Sequence, residues 1–259
     1  MIELQSVSRS FGQKLAVANL TLTVPRGELF ALLGANGAGK TTTIKMMIGL
    51  LRPTSGIVRM CGHDMATDSR AACQLLGYVP DEPYLYDKLS GREFLHFIAG
   101  MYGLAAVEAQ RRTAAAIEQF DLSAFVDELC ETYSHGMKQR MVFAAALLHD
   151  PEVLVIDEPM VGLDPRSARI VKDLLRAKAH EGMTIFMSTH SLAVAEEIAD
   201  RIGIFVHGRL RCLGTLEDMK RELATSDVSL EQLFLDVTSD EGITTQAQRL
   251  TEEAGNARE

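Results

Sequence analysis

The sequence predicts an α/β fold, a mixed, largely parallel sheet with helices on both faces and a helical lobe inserted into it. Three observations predict it. A continuous apolar run, Leu29–Leu33, ends in a glycine-rich turn and passes directly into a helical pattern. Strand and helix signals alternate again between residues 153 and 206. Between these stretches, residues 81–150 carry mainly helical periodicity.

Taken in order, β-rich runs at residues 2–7 and 15–24 open the chain and precede the buried strand at 29–33. Residues 41–48 read as a helix closed by Gly49, with Pro53 beyond it. Ser90 and Glu93 form a capping box that starts a helix running to Tyr102. Its apolar positions are Phe94, Leu95, Phe97, Ile98 and Met101. Further on, strands are expected at 153–156, 184–187 and 202–206, with helices at 166–180 and 192–199 between them. The stretch 238–259 is polar and reads as a tail beyond a domain of residues 1–237.

Composition narrows the function. With 259 residues, 47% of them hydrophobic, the chain can bury a full core. A formal net charge of −9 argues against coating nucleic acid, which asks for a basic face. Cys61, Cys73, Cys130 and Cys212 are scattered without metal-ligand spacing, as core residues in a reducing compartment would be. No apolar run approaches the roughly 20 residues that span a bilayer, and the N-terminus lacks the pattern of a secretion signal. A cytoplasmic location is therefore expected, with any membrane role exercised through a partner.

The most informative segment is Gly34-Ala35-Asn36-Gly37-Ala38-Gly39-Lys40-Thr41, followed by Thr42. Glycines at this spacing let successive backbone N–H groups turn inward on phosphates, and the next helix aims its positive end at them. Lys40 can reach the β- and γ-phosphates, and the Thr41 hydroxyl can ligate Mg²⁺. A second strand, 153–156, ends in Asp157 and Glu158. Such a strand can deliver Asp157 beside the phosphates to hold Mg²⁺, and Glu158 to orient or deprotonate water. Together these residues predict binding and hydrolysis of a nucleotide.

The order of the remaining motifs identifies a family. Tyr133-Ser134-His135-Gly136-Met137-Lys138-Gln139-Arg140 resembles the signature loop of the nucleotide-binding subunits of ABC transporters. Val161-Gly162-Leu163-Asp164-Pro165 is similar to their D-loop, and Ser188-Thr189-His190 to their switch histidine. Ser229-Leu230-Glu231-Gln232-Leu233-Phe234 is similar to their closing segment. The resemblance covers the chain to about residue 237. It implies a P-loop NTPase core with an N-terminal antiparallel β-subdomain and an inserted helical lobe at about 81–150. The cofactors implied are ATP and Mg²⁺. Gly77-Tyr78-Val79-Pro80, followed by Asp81-Glu82-Pro83, looks most like subunits serving bacterial exporters with a separate permease.

The same resemblance implies roles for particular residues. Two subunits would close head to tail, with Ser134 and the Gly136 N–H meeting the γ-phosphate across the interface. Phe11 would stack on adenine, His190 would contact the γ-phosphate, and Asp164 would act across the dimer. Asp81 stands where the family has a glutamine and would sense metal and water. Other departures are His135 for a glycine, Met137 for a glutamine and Val161 for a small hydroxylated residue. The implied partners are a second nucleotide-binding subunit and an integral membrane permease, the latter holding the chain at the inner face of the membrane. Aromatic residues of the lobe, Tyr84, Tyr86, Phe94 and Phe97, are expected either to receive a permease helix or to fill the lobe core. The competing reading is a soluble ATPase of the same family acting on nucleic acid, ribosomes or assembly machinery, against which a single cassette without a charged linker argues.

Overall fold

The computed structural model describes residues 1–222 and 230–238. Ser229 and residues 239–259, where most of the expected tail falls, lie outside the described residues.

Two sheets form the scaffold. The first is antiparallel, in the order β2-β1-β4-β5, from β1 (Ile2–Phe11), β2 (Lys14–Val24), β4 (Ser55–Met60) and β5 (His63–Asp64). The second has the order β10-β9-β3-β8-β7-β6. It comprises β3 (Leu29–Leu33), β6 (Leu76–Val79), β7 (Val153–Asp157), β8 (Thr184–Thr189), β9 (Arg201–Val206) and β10 (Arg209–Gly214). All its neighbours pair in parallel except β10, which returns antiparallel along β9. The expected mixed sheet and N-terminal antiparallel subdomain are both present.

Strand periodicity explains how the layers meet. Leu29, Ala31 and Leu33 of β3 face one core, whereas Phe30 and Leu32 face the other. Leu154 and Ile156 of β7 likewise oppose Val153 and Val155. Burial on both faces accounts for the uninterrupted apolar runs in the sequence. One core lies between the two sheets, with α1 (Lys40–Met47) supplying Ile44, Met46 and Met47, and Phe30 stacking on Phe186 at 5.5 Å. Each such fully buried side chain contributes about 1.5–3 kcal/mol of transfer free energy.

The opposite face carries the helical lobe and two core helices. The lobe comprises α3 (Gly91–Met101), α4 (Ala106–Gln119) and α5 (His135–Leu147), and the core helices are α6 (Pro165–His180) and α7 (Leu192–Ile198). A short α2 (Ser69–Gln74) precedes β6, while α8 (Leu216–Glu222) and α9 (Leu230–Thr238) follow β10. Ser90 caps α3 reciprocally with Glu93, as the sequence predicts. The lobe departs from expectation at its start: residues 81–90 lie outside the named helices and strands. Phe94 is buried in the lobe, whereas Tyr84, Tyr86 and Phe97 are 75%, 46% and 43% exposed. Edge-to-face contacts join Tyr86 to both Tyr84 and Phe97, making these three one aromatic surface cluster.

Candidate active site

The loop between β3 and α1 is shaped by two glycines. A Cβ on Gly34 would lie 2.4 Å from the Phe205 carbonyl, and one on Gly39 2.4 Å from the Ala16 carbonyl. Gly39 also has φ +110°, in the left-handed region that favours glycine. Ala35, Asn36 and Gly37 are exposed on the loop and Ala38 is tucked beneath it. Helix α1 then begins with no side-chain cap and no acid in its first turn. Its free N–H groups and positive dipole end therefore remain available to an anion.

Lys40 folds back into this loop, buried, with Nζ donating to the carbonyls of Gly34 at 2.6 Å and Ala35 at 3.3 Å. The same ammonium lies 3.1 Å from Glu158 Oε1. Parallel pairing of β7 with β8 sets Asp157 opposite Ser188, whose hydroxyl donates to Asp157 Oδ1. Asp157 Oδ2 is buried and carries no hydrogen bond. Burial pushes the Asp157 carboxyl up, against the lowering influence of Ser188 and of the nearby Thr41 hydroxyl. An uncompensated acceptor beside a hydroxyl at the foot of a phosphate loop fits a hard divalent cation that keeps waters and phosphate oxygens as its other ligands. Among the described residues, no group of three His, Cys, Asp or Glu side chains could hold a metal by themselves.

Glu158 takes φ +50°, an uncommon conformation for a non-glycine residue and one that costs of order 1 kcal/mol. Its N–H donates to both the carbonyl and the hydroxyl oxygen of Ser188 at 3.2 Å, which holds the turn in place. His190, just beyond β8, meets Glu158 Oε2 through Nδ1 at 2.9 Å and through its backbone N–H at 3.3 Å. Lys40 thus pairs by charge with one carboxylate oxygen of Glu158, while His190 bonds the other.

Lys40 and Glu158 border a cleft of about 590 Å³, together with Phe11, Asn36, Thr41, Thr42 and Asp81. Asp157, bonded to Ser188, and His190, bonded to Glu158, are not part of its lining. Phe11 is 47% exposed there, its ring 4.7 Å from the Arg9 guanidinium, so it is a cleft wall and not a core residue. Asp81 Oδ1 accepts from the Glu82 N–H at 2.9 Å, capping its own turn while facing the cleft. Lys14, Leu15, Ala16, His207 and Gly208 complete the wall. Sequence reasoning missed them; for Lys14, Leu15 and Ala16 the local signal was the Gly12-Gln13 turn that brings Lys14 back beside Phe11.

The cleft lining excludes Ser134, Gly136 and Asp164. Ser134 caps α5, its hydroxyl accepting from the Met137 N–H at 3.3 Å. The Gly136 position is open, with no atom near enough to crowd a Cβ. Asp164 caps α6 by accepting from the N–H groups of Arg166 and Ser167; the Ser167 hydroxyl, which also donates to it, and these N–H bonds hold its carboxyl below the usual range.

A cradle for phosphates, a buried acid for a cation and a braced carboxylate for water are the parts of a P-loop ATPase. Residues 17–161 match the family described as ABC transporter. The linearmycin resistance ATP-binding protein LnrL of Bacillus subtilis is 37% identical over 219 residues, covering 85% of this chain and 70% of that protein. The daunorubicin/doxorubicin resistance ATP-binding protein DrrA of Streptomyces peucetius is 36% identical over 88% of this chain and 69% of its own length. The probable multidrug ABC transporter ATP-binding protein YbhF of Escherichia coli is 36% identical over 93% of this chain, which spans only 42% of that protein. A solved ATP-binding subunit of an ABC transporter superposes with a TM-score of 0.87 at 34% identity, covering 92% of this chain and all of that one. The chain belongs to the ABC transporter ATP-binding family, and it is an ATPase.

Proposed function

We propose that the chain is the motor subunit of an exporter, in which two copies close head to tail around ATP and drive a separate membrane permease. The observation that carries this reading is the separation of the two half-sites. The phosphate cleft holds Lys40, Thr41 and Glu158, while Ser134 and Gly136 stand outside it, their loop open. A second copy would bring the missing half, adding the positive end of α5 to the γ-phosphate. Phe11 would stack on adenine, and Lys40 would neutralise the β- and γ-phosphates.

Thr41 and Asp157 would hold Mg²⁺, with Asp81 reaching it through a bridging water. Bound there, the cation would neutralise charge developing on the phosphates. Glu158 would orient the attacking water and accept its proton on a carboxylate oxygen. His190, donating to Glu158 Oε2, would fix that carboxylate and turn its other ring nitrogen toward the cleft.

The exposed cluster of Tyr84, Tyr86 and Phe97 would receive a cytoplasmic helix of the permease, through which the chain is held at the inner face of the membrane. Among the described residues no helix is long and apolar enough to cross a membrane itself. Affinity purification from solubilised membranes tests this reading. The wild type should retain a hydrophobic protein of roughly six spans, and the Tyr84→Ala/Tyr86→Ala variant should lose it. Equal recovery by both would contradict the docking surface.

A further inference from the structure

We infer that His135 is a positioning residue, a latch that makes the signature loop and the D-loop of one chain move together and so couples the two ATP sites of the dimer. The inference rests on the head-to-tail reading above. His135 is the first residue of α5, flanked by Ser134 and Gly136. Its Nε2 lies 3.3 Å from the Val161 carbonyl oxygen. A carbonyl only accepts, so Nε2 carries the proton and donates. The imidazole also covers Gly162: a Cβ built there would fall 2.8 Å from Nε2 and 3.1 Å from Cδ2. Gly162 has φ +74°, so its lack of a side chain serves both the turn and the approach of the ring.

The far end of this contact leads to the catalytic carboxylate. The Val161 N–H donates to the Glu158 carbonyl at 3.3 Å, closing a turn from Glu158 to Val161. A continuous path therefore runs from Ser134 and Gly136, which would touch the ATP held by the partner copy, through His135 and Val161 to Glu158 in its own site. A glycine at position 135 would leave the two loops joined only through the surrounding core. The imidazole adds a direct strut of one hydrogen bond and one ring face. Because His135 is exposed and its bond is to a surface carbonyl, removing it should change stability little.

The test is a double-mutant cycle on the ATP dependence of turnover. The latch predicts a Hill coefficient approaching about 2 in the wild type and about 1 in His135→Ala, with turnover lowered roughly tenfold and half-saturation little changed. His135→Gln, which restores a donor, should recover much of the cooperativity. Gly162→Ala should imitate His135→Ala by pushing the ring aside, and the double variant should be no worse than His135→Ala alone. Sedimentation of each variant in a Glu158→Gln background separates the two readings. If ATP-bound dimers form and His135→Ala keeps the wild-type Hill coefficient, the latch is wrong and the dimer stands. If no dimer forms with the wild-type loop, the head-to-tail reading fails and the latch with it.

Discussion

Lys40 Nζ stands 3.1 Å from Glu158 Oε1, so the cation proposed to meet phosphate and the carboxylate proposed to meet water are paired in one cleft. The ammonium also holds the Gly34 and Ala35 carbonyls, which gives it a part in the loop's shape. Lys40→Ala should therefore lower hydrolysis by about 100-fold or more, with a cost in stability of order 1 kcal/mol. Steady-state phosphate release and thermal unfolding, measured on the same sample, check both. Equal turnover under saturating Mg-ATP would remove Lys40 from the mechanism.

The proposed cation site yields a second expectation. Asp157→Asn removes charge from the acceptor that lacks a partner in the buried foot of the cleft, and should raise the Mg²⁺ needed for half-maximal turnover about tenfold. Asp81 already bonds the Glu82 N–H, so it should act through water. Asp81→Gln should keep turnover with an altered Mg²⁺ and Mn²⁺ dependence, and Asp81→Ala should lose most of it. Identical titrations of all three proteins would leave Asp81 as a turn residue only.

Acid stability should depend on His149. Its ring stacks on Tyr102 with centroids 3.5 Å apart, and its Nε2 and the Tyr102 hydroxyl both donate to the Leu76 carbonyl. This clamp ties the ends of α3 and α5 to β6. Burial, with Arg112 nearby, pushes the histidine down to about 4 from the usual 6.5, against the raising effects of the Leu76 carbonyl and Asp150. The folded state therefore favours the neutral ring. Below pH 6.5 the unfolded chain binds the extra proton first, so stability falls as pH drops from 6.5 toward 4. Allowing for partial exposure, the loss is about 2 kcal/mol. Denaturant unfolding across that window should show His149→Gln declining less than the wild type; parallel curves would rule the clamp out.

Much of the site could be read from the sequence because its signals are local. Leu29–Leu33, the glycine loop and α1 form one contiguous stretch, and β7 announces Asp157 and Glu158 by its apolar run. Elements set by distant pairing were not legible. β4 contains Gly56 at φ +87° and an exposed Ile57, which break its alternation, while β6 has four residues and owes its place to β7. The six-residue α2 lacks a side-chain cap bond. Helix capping by Ser134 and Asp164 is visible in one chain, but the role proposed for them across an interface needs the second copy. His135 reads in the sequence as a departure from the family pattern; only the fold shows that it lies on Gly162.

The head-to-tail ATP sandwich is tested most directly by sedimentation of Glu158→Gln with and without Ser134→Arg, in the presence of Mg-ATP. With hydrolysis stalled, Glu158→Gln should sediment as a dimer holding two nucleotides. Ser134→Arg in the same chain should return it to a monomer that still binds one ATP, because the phosphate cleft is untouched and only the opposite half-site is blocked. A Glu158→Gln protein that stays monomeric, or a dimer that survives Ser134→Arg, would contradict the account.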